Sequence, residues 1–283
     1  MTWYTHEVAL RTLRLSLKMK AESPLRVGAG RSVAKMTLVD LPVLVIRKDG
    51  SDVPYIPGST LKGVFRSSSE FVAKSSGVEV CMMGEGCKER YDRELQENIK
   101  SSRIDGVRKT LSKYCLACKI FGSATFRSHI YFSDAYPDST PSRSVKSGIA
   151  IDRKSGAVKG GALYFVEFIN PGATFHGDIT FINIPNYGIG LIAEVIDLIN
   201  RGFVRVGGFK SRGFGKLSVK PVSLDGFVLS NGKMLGISEL SELPAVDELD
   251  EKISLSGLSN LESLLEGFRE VWRRYAERTR GKG

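Results

Sequence analysis

The chain has few cysteines, few histidines and no long apolar run, and each shortage removes a class of protein. Four cysteines in 283 residues are too few for the disulfide framework of a secreted scaffold. His6, His129 and His176 are the only histidines; they show no metal-ligand spacing, so ordinary polar roles are expected of them. Apolar runs such as LPVLVI at 41–46 fall far short of the roughly 20 residues that cross a bilayer. The first twenty residues, MTWYTHEVALRTLRLSLKMK, are broken by charge and contain no secretory apolar core. Repeats and low-complexity tracts are also absent. Acidic residues are in deficit, 31 against 41 Lys and Arg, for a net charge of +10. A cytoplasmic protein with an anionic partner is therefore expected, nucleic acid ahead of an acidic membrane surface.

The cysteines that are present, Cys81, Cys87, Cys115 and Cys118, form a C-x5-C pair followed by a C-x2-C pair. Two such pairs can complete a tetrahedral zinc site, and four thiolates leave no open position, so the metal would be structural. The alternative is four inert thiols. Between the pairs lies a charged helical stretch, YDRELQENIKSSRIDGVRKTLSKY, so 77–118 is expected to form an inserted subdomain clamped by metal.

Around that insert the pattern alternates between strands and helices. Residues 6–20 have the period of a half-buried strand, a short strand follows at 43–47, and a DG turn leads on to Pro57-Gly58. Ser59 is the expected N-cap of STLKGVFRSSSEFVAK, with Lys62 and Arg66 sharing one face at the helix start, where the dipole favours anions. Strand signals return at 129–136, a hairpin with a KSG tip follows, and alternation recurs at 174–184. A helix is expected at 190–202 and an amphipathic one at 257–278, with 223–256 a variable connection. This order predicts an α+β fold with an antiparallel sheet and a βαββαβ ferredoxin-like core, of the kind that binds single-stranded RNA.

The stretch VGGFKSRGFGKLSV at 206–219 reads as a glycine loop between two strands, bordered by Lys210, Arg212 and Lys216. Glycines let backbone N–H groups approach phosphates, and the cations supply charge. Ligand-free glycine hairpins are the competing account.

Several motifs occur together and in order: VPYIPGSTLKGVFRSSSE (53–70), CLACKIFGS (115–123), YFSDA (131–135), SGIAIDRKSGAVKGGALYFVEFINPGATF (147–175) and GGFKSRGFGKL (207–217). With these, the chain resembles the RAMP superfamily of CRISPR systems, and within it the Csm/Cmr-type backbone subunit of type III effector complexes. The resemblance implies one elaborated RNA-recognition-motif-like palm over 1–283, a zinc-bearing lid (77–118) and a thumb hairpin (142–165). It implies guide (CRISPR) RNA and complementary target RNA as ligands. Copies of the same chain or paralogous subunits, together with other subunits of the complex, are the implied partners. Arg31, Ser59, Lys62, Arg66, Arg153, Gly207, Gly208, Lys210, Arg212, Gly213 and Gly215 are the candidate RNA contacts. It further implies target cleavage dependent on Mg2+ or another divalent ion, with Asp40 as the catalytic carboxylate. Met36-Thr37-Leu38-Val39 departs from the glycine-rich approach expected before that aspartate. Asp40 can therefore instead cap a turn, or pair with Arg31 or Lys35, in a subunit that is only scaffold. A guide-processing nuclease of the same superfamily is a third reading, but none of the three histidines sits in a motif suited to it.

Overall fold

The computed structural model describes residues 3–28, 39–82, 86–230, 232–255 and 260–280. Strand β1 (Arg11–Ala21) buries every second residue, Leu13, Leu15, Leu17, Met19 and Ala21, and turns Arg14, Lys18 and Lys20 outward. Arg11 is the polar exception. Its buried guanidinium donates to the carbonyls of Ile184 and Pro244, and burial pushes its pKa down to about 10 despite the nearby Asp250.

The hairpin β2 (Val45–Lys48) and β3 (Ser51–Pro54) closes through Asp49-Gly50, both at positive φ, as a two-residue hairpin requires. Helix α1 (Gly58–Ser75) buries Leu61, Val64, Phe65 and Ala73. The sequence expectation for its start needs correcting. Ser59 lies inside the helix, and the cap comes from a remote residue, with the Gly58 N–H donating to Asp134 Oδ1 at 2.7 Å.

The segment expected as one charged helical run is two helices, α2 (Cys87–Lys100) and α3 (Ile104–Ser112), broken where Ser102 takes a positive φ. The short α4 (Leu116–Phe121) follows. Cys87, Leu95, Leu111, Tyr114 and Cys118 form a small core separate from the main one.

Next come β4 (Ile130–Phe132), β5 (Tyr136–Pro137), the hairpin β6 (Arg143–Gly148) and β7 (Tyr164–Ile169), and β8 (Thr174–Ile182). The hairpin tip is fixed by Asp152, whose Oδ1 accepts the Lys154 and Ser155 N–H groups, each at 2.9 Å. Helix α5 (Asn186–Asn200) begins earlier than the sequence suggested, because Asp250 accepts the Asn186 and Tyr187 N–H groups at 3.0 and 3.2 Å. After it, β9 (Leu217–Ser230) and β10 (Lys233–Gly236) complete a six-stranded antiparallel sheet ordered β10-β9-β1-β8-β4, with β5 also on β8. Helices α1 and α5 cover one face of this sheet. The stretch 223–256 is thus no loose connection: it carries sheet strands, the small pair β11 (Glu242–Leu243) and β12 (Ile253–Ser254), and the α5 cap. Helix α6 (Leu261–Thr279) packs on α5 through Leu264, Phe268, Val271 and Trp272. Among the described residues no helix is long and apolar enough to cross a membrane.

Candidate nucleic-acid interface and metal centre

The glycine loop follows α5 and runs into β9. Only its second flank is a strand, which corrects the expectation of two; the tip is a single 3-10 turn, Lys210–Arg212. Its glycines are set largely by internal packing. A Cβ on Gly207 would lie 2.3 Å from the Arg26 carbonyl oxygen, and one on Gly215 2.2 Å from that of Val206. The Gly208 and Gly215 N–H groups already donate to Arg26 O and Pro24 O, at 2.8 and 2.9 Å. The expectation that these two N–H groups face phosphate is therefore corrected. Gly213, by contrast, is exposed. Arg26 and Arg212 both lie over the Phe209 ring, at 5.5 and 5.0 Å, and Arg212 donates to the Tyr164 hydroxyl at 2.8 Å. The loop tip is thereby joined to the loop end of the β6–β7 ladder, where Tyr164 pairs with Gly148.

Beside the loop a cleft of about 380 Å³ opens between residues 26–28, Gly207, Gly208 and Lys210 on one wall and the first turns of α1 on the other. Ser59, Gly63 and Ser67 recur every four residues along that helix, so one small polar stripe faces the cleft. The sequence reading found Ser59, Gly207, Gly208 and Lys210 but missed Arg26, Thr60, Gly63 and Ser67. The small-residue spacing was available to find the helix positions. Burial lowers the Arg26 pKa, against the opposing charge of Glu167. The positive end of an 18-residue helix, an arginine and a lysine thus share one opening with hydroxyl donors, which suits a phosphate.

Lys62 and Arg66 lie outside that opening and line another basic hollow of about 310 Å³ with Lys88 and residues 121–124. Burial, then the Arg66 charge, lowers the Lys62 pKa. Arg66 is engaged internally: it donates to Glu70 at 2.9 Å, to the Gly122 carbonyl at 3.1 Å and to Cys118 Sγ at 3.7 Å. Arg153 is exposed at the hairpin tip. Arg31 and Lys35 lie outside the described residues.

Asp40 is exposed beside β7. Its Oδ2 accepts the Phe165 N–H at 2.7 Å, while the adjoining Leu41 exchanges backbone hydrogen bonds with Phe165 and Glu167. The carboxylate thus fastens the approach to β2 onto the loop end of the β6–β7 ladder, where Phe165 pairs with Ser147. Asp134 and Asp152, read from sequence as structural, are both caps.

Cys81, Cys87, Cys115 and Cys118 bring their four Sγ atoms within 4.8 Å of one another. A tetrahedral site with Zn–S near 2.3 Å needs sulfurs about 3.8 Å apart, so the set fits one ion. Hydrogen bonds from the Cys115 and Cys118 thiols lower the Cys87 pKa to about 4, whereas those to Cys115 and Cys87 push the Cys118 thiol up. The Arg66 guanidinium near Cys118 adds positive charge beside the thiolates, as outer-shell donors do. Among the described residues no other group of three or more His, Cys, Asp or Glu side chains converges in this way.

The family description of the RAMP superfamily matches residues 18–218, a span that takes in the cleft, Asp40 and all four cysteines. No curated protein matches the chain. The superfamily includes endoribonucleases, and membership supports a CRISPR-associated RNA-binding role. With most of its length matched, the chain belongs to the RAMP superfamily.

Proposed function

We propose that this chain is a guide-RNA-binding backbone subunit of a type III, Csm/Cmr-like CRISPR effector complex, and that it cuts complementary target RNA. The observation that carries the proposal is the cleft where Arg26, Lys210 and the Ser59-Gly63-Ser67 stripe meet at the α1 N-terminus. The palm of this reading is a ferredoxin-like, RNA-recognition-motif-like sheet. In support, β1, β4, β8 and β9 occur in the chain order βαββαβ and in the sheet order β9-β1-β8-β4. Residues 77–118 are its lid, held by a structural zinc on the four cysteines, and 142–165 its thumb.

Asp40 is the proposed cleaving residue. Mg2+ commonly keeps several waters and takes one or two carboxylates beside substrate phosphates, and the exposed carboxylate of Asp40 suits such a role. When bound, the ion would supply charge stabilisation at the scissile phosphate. A second reading, a non-cutting scaffold of the same architecture, is favoured by the fastening bond from Phe165 to Asp40.

One pair of variants separates the two readings within the assembled complex. Asp40→Asn keeps an oxygen for the Phe165 N–H but loses the charge; Asp40→Ala loses both. On labelled complementary RNA with Mg2+, both variants should bind the guide and fail to cut. Cutting that survives in Asp40→Asn and falls only in Asp40→Ala would make Asp40 a fastener and refute its catalytic role.

A further inference from the structure

The sheet has a second face, opposite α1 and α5, on which the outward residues of β1 and β9 are exposed or half-buried. On it one cross-strand row runs through four neighbouring strands. Tyr136 of β5 is paired with His176 of β8, His176 with Lys18 of β1, and Lys18 with Lys220 of β9. All four side chains are exposed. Three interstrand spacings of about 4.8 Å make the row roughly 14 Å long.

Lys18 and Lys220 stand directly opposite each other, a like-charge pairing that destabilises a sheet. The other cations of this face have carboxylate partners: Lys20 has Glu22 at 3.5 Å and Arg14 has Asp225 at 3.2 Å. His176 holds Asp138 at 2.6 Å. Asp178, opposite Ser16 in the next row, is the nearest carboxylate position to Lys18 along β8, and no salt bridge joins them among the described residues. At the other end, Tyr136 stacks on Tyr55 with ring centroids 5.7 Å apart, so the pair forms a small aromatic shelf. Tyr131 is exposed on the same face, opposite Thr180.

Two ammonium groups with no salt bridge among the described residues, in line with a ring shelf, match the two needs of a single strand, charge along its backbone and a plane for a base. We propose that this exposed face is a second contact surface for single-stranded RNA, separate from the cleft beside the glycine loop. Phosphates would lie over Lys18 and Lys220, and a base would lie against the Tyr136–Tyr55 shelf. The inference rests on the RNA-binding reading above but concerns the opposite side of the sheet.

The test uses the full chain, fluorescein-labelled oligouridine and a salt titration, with Lys18→Gln/Lys220→Gln beside Lys210→Gln. Each phosphate contact on a single strand contributes about 0.7 to the log-affinity against log-salt slope, so the double variant should lose about 1.4. Its melting temperature should hold or rise, because the like-charge pair is relieved. Tyr136→Ala should weaken binding about fivefold or more. An unchanged slope in the double variant, with Lys210→Gln impaired, overturns this inference and leaves the cleft standing. The reverse pattern keeps the inference and removes the cleft. Failure of the wild-type chain to bind removes both. Competition by polyglutamate as strong as by oligouridine would also overturn the inference, in favour of an acidic protein partner.

Discussion

Replacing Gly215 by alanine separates packing from RNA contact within the glycine loop. The residue is buried at φ +83°, and an added Cβ would lie 2.2 Å from the Val206 carbonyl oxygen. The left-handed backbone alone costs an alanine roughly 1–2 kcal/mol. Relieving the clash moves backbone and loosens two hydrogen bonds, Val206 N–H to Gly215 O and Gly215 N–H to Pro24 O, both 2.9 Å. Each such bond contributes about 1 kcal/mol, giving a total of about 3–4 kcal/mol. At 2–4 °C per kcal/mol for a chain of this size, melting should fall by roughly 6–16 °C. Gly213→Ala is the matched control, also at positive φ (+91°) but with nothing within 4 Å of the added Cβ. It bears only the backbone cost, so the two variants should differ by about 2 kcal/mol. Thermal denaturation without RNA reads that difference, and equal melting temperatures would refute the packing account. A loss of RNA affinity confined to Gly213→Ala would then mark the exposed part of the loop as the contacting part.

Other consequences can be measured as directly. Elemental analysis should find about one zinc per chain, and Cys118→Ser should lose it and become sensitive to protease between 77 and 121; zinc retained at full occupancy by that variant would remove the tetrathiolate centre. His129, fully buried and stacked on His6, has its pKa lowered from 6.5 to about 4, chiefly by burial. A depressed folded pKa means that the unfolded chain binds the proton first, so this stability is complete above about pH 6.5 and is lost as pH falls toward about 4. The loss is roughly 3 kcal/mol, and His129→Gln should remove that part of the slope in urea titrations; identical slopes would refute it. Asp134→Ala removes the acceptor for the Gly58 N–H and should cost about 1 kcal/mol, with no change in urea midpoint as the refuting result.

Elements whose determinants are local were legible in the sequence. The alternation of Leu13, Leu15, Leu17 and Met19 identified β1, Asp49-Gly50 identified the turn after β2, and the apolar stripe ending at Tyr275 identified α6. Elements fixed by distant partners were not. The caps of α1 and α5 come from Asp134 and Asp250, far along the chain, so the local pattern points to Ser59 as a cap and to a later start for α5. The glycines of the loop were visible, but their reason was not: Arg26 and Val206 carbonyls press on them, and no local pattern announces that. Arg66 carried the same ambiguity: Glu70 lies one turn along α1, but Gly122 and Cys118 reach the guanidinium from far along the chain. The four cysteines were the opposite case, because their spacing alone predicted that they converge.

Arg11 and Asp250 bear on where this chain can be divided. The family match ends at residue 218, yet the carboxylate that seats the start of α5 lies beyond it, and the guanidinium opening the first strand reaches the carbonyl of Pro244. A chain shortened to the matched span would lose Arg11 with the first part of β1, and would keep only Leu217 and Ser218 of its neighbour β9. The stretches on either side of the match thus complete the β1–β9 pairing and seat the start of α5, so the sheet draws on both ends of the described chain.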